Sequence, residues 1–172
     1  MIHLFRSAVA KVAALGVAGA SAMLFASPAG AATSGQQADF YQLVNSNSGK
    51  CLAVPNSNPA NGVELIQWPC SSSDDQFWAL ENNISIDFYR IRNLATNKCL
   101  AIPSGSPTGG VNAIQWDCNL PDFAQQWTYD SARRLRNLAS DRCLTIGNAS
   151  TASGAEVIQW TCTTGPEQVW LR

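Results

Sequence analysis

Six cysteines, six tryptophans and twelve carboxylates carry most of the chemistry this 172-residue chain can offer. The cysteines stand in pairs nineteen apart: Cys51 with Cys70, Cys99 with Cys118 and Cys143 with Cys162. Six cysteines admit many connectivities, but each pair lies inside one copy of a repeated segment, which favours bonds within the copies. Each such bond closes a loop of roughly 20 residues and contributes about 3 kcal/mol in the chain-entropy picture. Zinc is disfavoured, because its sites use CxxC or Cys/His clusters and the single histidine is His3. Catalysis lacks parts for the same reason: neither a Ser-His-Asp nor a Cys-His set can be assembled. Asp74 and Asp75 are neighbours in a loop tip, whereas glycoside hydrolysis needs two carboxyls held across a cleft. The chain therefore reads as a non-enzyme with no metal and no cofactor. Asn83-Ile84-Ser85 and Asn148-Ala149-Ser150 are glycosylation sequons.

The elements that must position these residues come in threes. "CLAVPNSNPANGVELIQWPC", "CLAIPSGSPTGGVNAIQWDC" and "CLTIGNASTASGAEVIQWTC" align without a gap. Upstream stand "LVNSNSGKC", "IRNLATNKC" and "LRNLASDRC"; downstream the copies end at Trp78, Trp127 and Trp170. The periods between first cysteines are 48 and 44 residues. Repeats are expected over about 38–80, 86–129 and 132–172, with no linker between them. "FYQLVN" and "FYRIRNL" alternate apolar and polar residues, and the short runs "CLAV" and "VIQW" are bounded by Gly, Pro, Asn and Ser. That is strand and turn patterning. Four short strands in each of three units predict about twelve strands around an approximate threefold axis. A propeller normally needs at least about four blades.

The first 31 residues read as a secretory leader. "MIHLFRSAVAK" is short and basic, an apolar run follows over 12–25, and Ala29-Gly30-Ala31 supplies a small-x-small cleavage pattern. Fourteen apolar residues rich in Ala and Gly are too few to span a bilayer, so no membrane association is expected. Loss of residues 1–31 removes Arg6, Lys11 and His3. Basic residues then fall from 11 to 9 against 12 acidic ones, a formal charge of −3 over about 140 residues, one domain's worth. Without a basic stripe the chain is not expected to bind nucleic acid. A surface poor in charge and rich in Asn, Ser, Thr, Gln and Gly suits neutral polar ligands.

Cys-Leu-x-[Val/Ile], a Gly eleven residues after that Cys, a Trp two before the second Cys, and a closing Gln-x-Trp together resemble the ricin B-type β-trefoil. That family includes plant lectins and carbohydrate-binding modules of bacterial glycanases, and the resemblance covers essentially residues 32–172. It implies an all-β fold, a β-trefoil of three QxW repeats with pseudo-threefold symmetry. It places Trp78, Trp127 and Trp170 in the core, with Gln76, Gln125 and Gln168 satisfying buried backbone groups. It makes Trp68, Trp116 and Trp160 walls of shallow pockets, where pyranose C–H bonds meet the negative face of the ring. A ring packed over the adjacent disulfide is the other reading of these three.

The chain departs from the family where the family grips sugar. Members that bind galactose or xylose carry Asp two residues after the first Cys, Gln two before the pocket Trp, and Asn before the closing motif. Here those positions hold Ala53, Ala101 and Thr145; Ile66, Ile114 and Ile158; and Asp75, Ala124 and Glu167. The acid and its support are lost together in every copy, which points to a re-specified, more apolar patch facing an outer pocket. The expected function is a secreted, extracellular, monomeric carbohydrate-binding protein with weak multivalent sites for a glycan or polysaccharide. Sugar hydroxyls would be held by Asn56, Asn148, Asp75 or Glu167. The alternative is a protein-interaction trefoil, a protease inhibitor or scaffold that has lost sugar binding and meets an extracellular protein partner through the loops at 55–62, 103–110 and 147–154.

Overall fold

The computed structural model describes residues 39–85, 87–119 and 122–172, so the expected leader at 1–31 lies outside them. No helix among the described residues is long and apolar enough to cross a membrane. The first repeat contributes β1 (Phe40–Gln42), β2 (Val44–Asn45), β3 (Cys51–Ala53), β4 (Ile66–Trp68) and β5 (Phe77–Ser85). The second contributes β6 (Phe88–Asn93), β7 (Cys99–Ala101), β8 (Ile114–Trp116) and β9 (Gln126–Tyr129). The third contributes β10 (Leu135–Asn137), β11 (Cys143–Ile146), β12 (Val157–Trp160) and β13 (Trp170–Leu171). These are thirteen strands where about twelve were expected, because the fully buried Leu43 interrupts the first strand of repeat 1 and splits it in two.

Antiparallel pairing runs β1–β5–β6–β9–β10 on one side, and β13 pairs with β2 on the other. A backbone hydrogen bond from Trp170 N to Arg133 O, 2.9 Å, closes the barrel between the last strand and the chain ahead of β10. The hairpins β3–β4, β7–β8 and β11–β12 cap it. The fold is a β-trefoil. At the cap, Leu65 N donates to Ala113 O (2.9 Å), Ala113 N to Val157 O (2.8 Å) and Val157 N to Leu65 O (3.1 Å), a cyclic triangle around the threefold axis.

Trp78, Trp127 and Trp170 are fully buried, and each indole N–H donates to a backbone carbonyl of its own repeat, Leu52, Leu100 or Leu144, at 2.9–3.1 Å. The rings fill a core whose strands are too short to supply enough aliphatic bulk. Gln76, Gln125 and Gln168, also buried, each accept from one loop N–H and donate to one loop carbonyl. That satisfies backbone groups of the segments following Trp68, Trp116 and Trp160 which no strand pairs. Gln126 departs from this pattern. It stands where repeats 1 and 3 have Phe77 and Val169, and its buried amide finds no partner among the described residues. On the barrel wall, burial pushes the Glu81 carboxyl up, but hydrogen bonds and charge from Arg92 and Arg90 outweigh it and hold the group below the ordinary range.

Candidate ligand clefts

Strand alternation decides what each hairpin shows to solvent. Cys51 lies opposite Trp68, Leu52 opposite Gln67, and Ala53 opposite Ile66; the same register recurs in β7–β8 and β11–β12. Successive side chains take opposite faces, so Leu52 and Gln67 point inward while Cys51, Ala53, Ile66 and Trp68 share the outer face. The paired losses seen in the sequence are therefore direct cross-strand neighbours: Ala53 with Ile66, Ala101 with Ile114, Thr145 with Ile158. A carboxylate at residue 53, 101 or 145 would face an apolar Ile across the hairpin.

These pairs floor a cleft on each repeat. In repeat 1 a cleft of about 450 Å³ is bounded by Ala53, Ile66, Trp68, Asn56 and Asp75. In repeat 3 one of about 300 Å³ is bounded by Thr145, Ile158, Trp160, Asn148 and Glu167. In repeat 2 one of about 530 Å³ is bounded by Ala101, Ile114, Trp116, Ser104 and Phe123. The floor residues are nearly closed to solvent (Ala53 1%, Ala101 4%, Thr145 3%), whereas the tryptophans stand half open at 48%, 41% and 50%. All seven residues proposed from the sequence to touch sugar line these clefts. Asn56, Ser104 and Asn148 hold the left-handed conformation, φ 54°, 52° and 53°, within the turns that follow β3, β7 and β11. Asn tolerates it better than most residues. Asp75 accepts a hydrogen bond from Ser73 Oγ. The Glu167 carboxylate lies over Gly165.

Each tryptophan is seated by a different repeat. A Cβ on Gly154 would lie 3.6 Å from the Trp68 ring; Gly62 stands in that relation to Trp116, and Gly110 to Trp160. These are the glycines eleven residues after each first cysteine, and their φ of +80° to +84° requires glycine in any case. The cross-strand neighbour of each Trp is the first cysteine of its own disulfide. The rings thus stand beside the disulfides and on a cleft at once, and the two readings from the sequence do not exclude each other.

Gln67, Gln115 and Gln159 have no signature in the sequence beyond the recurrence of Ile-Gln-Trp in all three copies. They are fully buried clamps between repeats. Gln115 Nε2 donates to Asn58 O (2.6 Å) and Ala60 O (2.8 Å), and its Oε1 accepts from Thr96 Oγ1 (2.7 Å). Gln67 holds Ser150 O and Ala152 O, and Gln159 holds Ser106 O and Thr108 O, in the same way. Gln115→Leu is expected to cost about 1–3 kcal/mol by leaving these groups unpaired, read as a lower urea midpoint. An unchanged midpoint would show that backbone bonds alone hold the loop at 55–62.

Comparison with known proteins agrees with this architecture. Residues 31–116 match the ricin-type beta-trefoil lectin domain-like family, and residues 87–172 match the ricin-type beta-trefoil lectin domain. No curated protein matches the chain. Among solved structures, the designed threefold-symmetric protein ThreeFoil is 32% identical with a TM-score of 0.72, over 76% of this chain and 95% of that one. The exo-beta-1,3-galactanase 1,3Gal43A from Clostridium thermocellum is 26% identical with a TM-score of 0.71, over 76% of this chain but only 29% of its own. The C-half of an earthworm R-type lectin, in complex with GalNAc, shares the fold at 18% identity and a TM-score of 0.64, over 77% and 95% of the two chains. With both halves matched, three QxW repeats closed into a trefoil and a cleft on each repeat, this chain belongs to the ricin-type β-trefoil lectin domain family.

Proposed function

We propose that the protein is a secreted, non-catalytic, monomeric lectin that binds a polysaccharide weakly at each of three clefts. The observation that carries this reading is the threefold recurrence of a half-exposed tryptophan over a cleft floored by an Ala–Ile or Thr–Ile pair. Stacking of a sugar face on such a ring is of the order of other aromatic contacts, about 0.5–1.5 kcal/mol beyond burial. One site is then weak, and a polymer that engages several gains avidity from their fixed spacing. Asp75 with Asn56, and Glu167 with Asn148, supply hydroxyl partners in the first and third clefts. The three disulfides suit an oxidising, extracellular setting.

The earthworm lectin's GalNAc is not the expected ligand here, because no carboxylate remains at residues 53, 101 and 145. Free galactose should bind feebly or not at all. Retention on insoluble polysaccharide should fall stepwise, about three- to tenfold for each of Trp68→Ala, Trp116→Ala and Trp160→Ala. Affinity electrophoresis of the single and triple variants measures this. Unchanged retention in the triple variant would remove the tryptophan clefts as the binding sites, and a wild-type chain retained on no glycan would favour a protein partner met by the outer loops.

A further inference from the structure

The three clefts are not copies of one another. Where repeat 1 has Asp74 and repeat 3 has Pro166, repeat 2 has Phe123, 56% exposed. Where the other two carry the carboxylates of Asp75 and Glu167, repeat 2 has the buried Ala124. The second cleft is the largest, and both Trp116 and Phe123 line it. The carboxylate on it, Asp122, accepts from Ala124 N at 2.9 Å through one oxygen and caps the short turn that carries Phe123. Among the described lining residues it is the one charged group, against two aromatic rings.

Resting on the lectin reading above, we infer that the repeat-2 cleft is a two-ring subsite for β-linked pyranoses whose hydroxyls are all equatorial, with Phe123 its specificity-determining residue. Such a unit, of gluco or xylo configuration, presents axial C–H bonds on both faces and can meet two aromatic rings without burying a hydroxyl. A galacto unit carries its 4-hydroxyl axially, on one of those faces. Against the face of a ring that hydroxyl loses water without gaining a partner. The first and third clefts, with one tryptophan and one carboxylate each, lack this constraint.

The full chain carrying Trp68→Ala and Trp160→Ala isolates the second cleft, and both residues are exposed enough for the fold to tolerate their loss. Calorimetric titration with cellohexaose should show one site. Adding Phe123→Ala should weaken that site about five- to tenfold with the thermal midpoint unchanged, and Trp116→Ala should abolish it. A β-1,4-galactohexaose should give no measurable heat. Equal binding of the two oligosaccharides, or indifference to Phe123→Ala, would overturn the assignment. A wild-type chain retained on polysaccharide through Trp68 and Trp160 alone would overturn this inference and leave the lectin reading standing; a wild-type chain retained on no glycan would remove both.

Discussion

Reduction of the three disulfides is expected to unfold the domain or bring it to the edge of unfolding at 37 °C. Cys51–Cys70, Cys99–Cys118 and Cys143–Cys162 each close a loop of the same length, with a separation of 19 residues. A loop of that size contributes about 3 kcal/mol by restricting the unfolded chain. Three of them approach the whole stability of an ordinary domain, about 5–15 kcal/mol. The bonds also act locally, because each ties the segment after a cleft tryptophan back to the buried start of β3, β7 or β11. Urea titration followed by tryptophan emission, with and without dithiothreitol, measures the effect. A reduced protein within about 1 kcal/mol of the oxidised one would show that the core needs no covalent help.

The second large effect is expected at the centre of the barrel. Trp127→Ala removes a fully buried ring and leaves Leu100 O, which accepts from its indole at 3.1 Å, without that donor. Large-to-small changes of this kind cost about 3–5 kcal/mol, and the cleft tryptophans should cost far less because half of each ring is already in water. A lower urea midpoint with an unchanged slope would place the loss in the native state. A cost for Trp127→Ala no greater than that of Trp116→Ala would contradict the division of the six tryptophans into core and cleft sets.

That division was legible because tryptophan occupies only two positions of the repeat, and the strand pattern sets them on different elements. The disulfide pairing was legible because equal spacing recurs in aligned copies. The joint departure at Ala53 and Ile66 could be noted in the sequence, but not its geometry: the two are register partners across a hairpin, and no sequence spacing of thirteen residues announces that. The clamping role of Gln115 was hidden for a related reason. Its partners, Asn58 and Ala60, belong to another repeat, and from the sequence alone a polar residue between Ile and Trp reads as the solvent side of a strand. Phe123 gave no periodic signal, since its counterparts Asp74 and Pro166 share neither size nor charge with it.

The triangle of backbone bonds at the cap bears on how the chain reaches its native state. Leu65, Ala113 and Val157 are separated by 48, 44 and 92 residues, and the last link of the ring joins the first repeat to the third. No two repeats can complete it, so a chain emerging from synthesis holds an open cap until its third repeat is available. Closing contacts of such sequence separation is slow compared with forming helices or isolated hairpins. During that interval the hairpin tips offer unpaired N–H and C=O groups to any neighbouring chain. Once the third hairpin docks, each of the three tips has both a donor and an acceptor partner, and the cap presents no free strand edge at the axis.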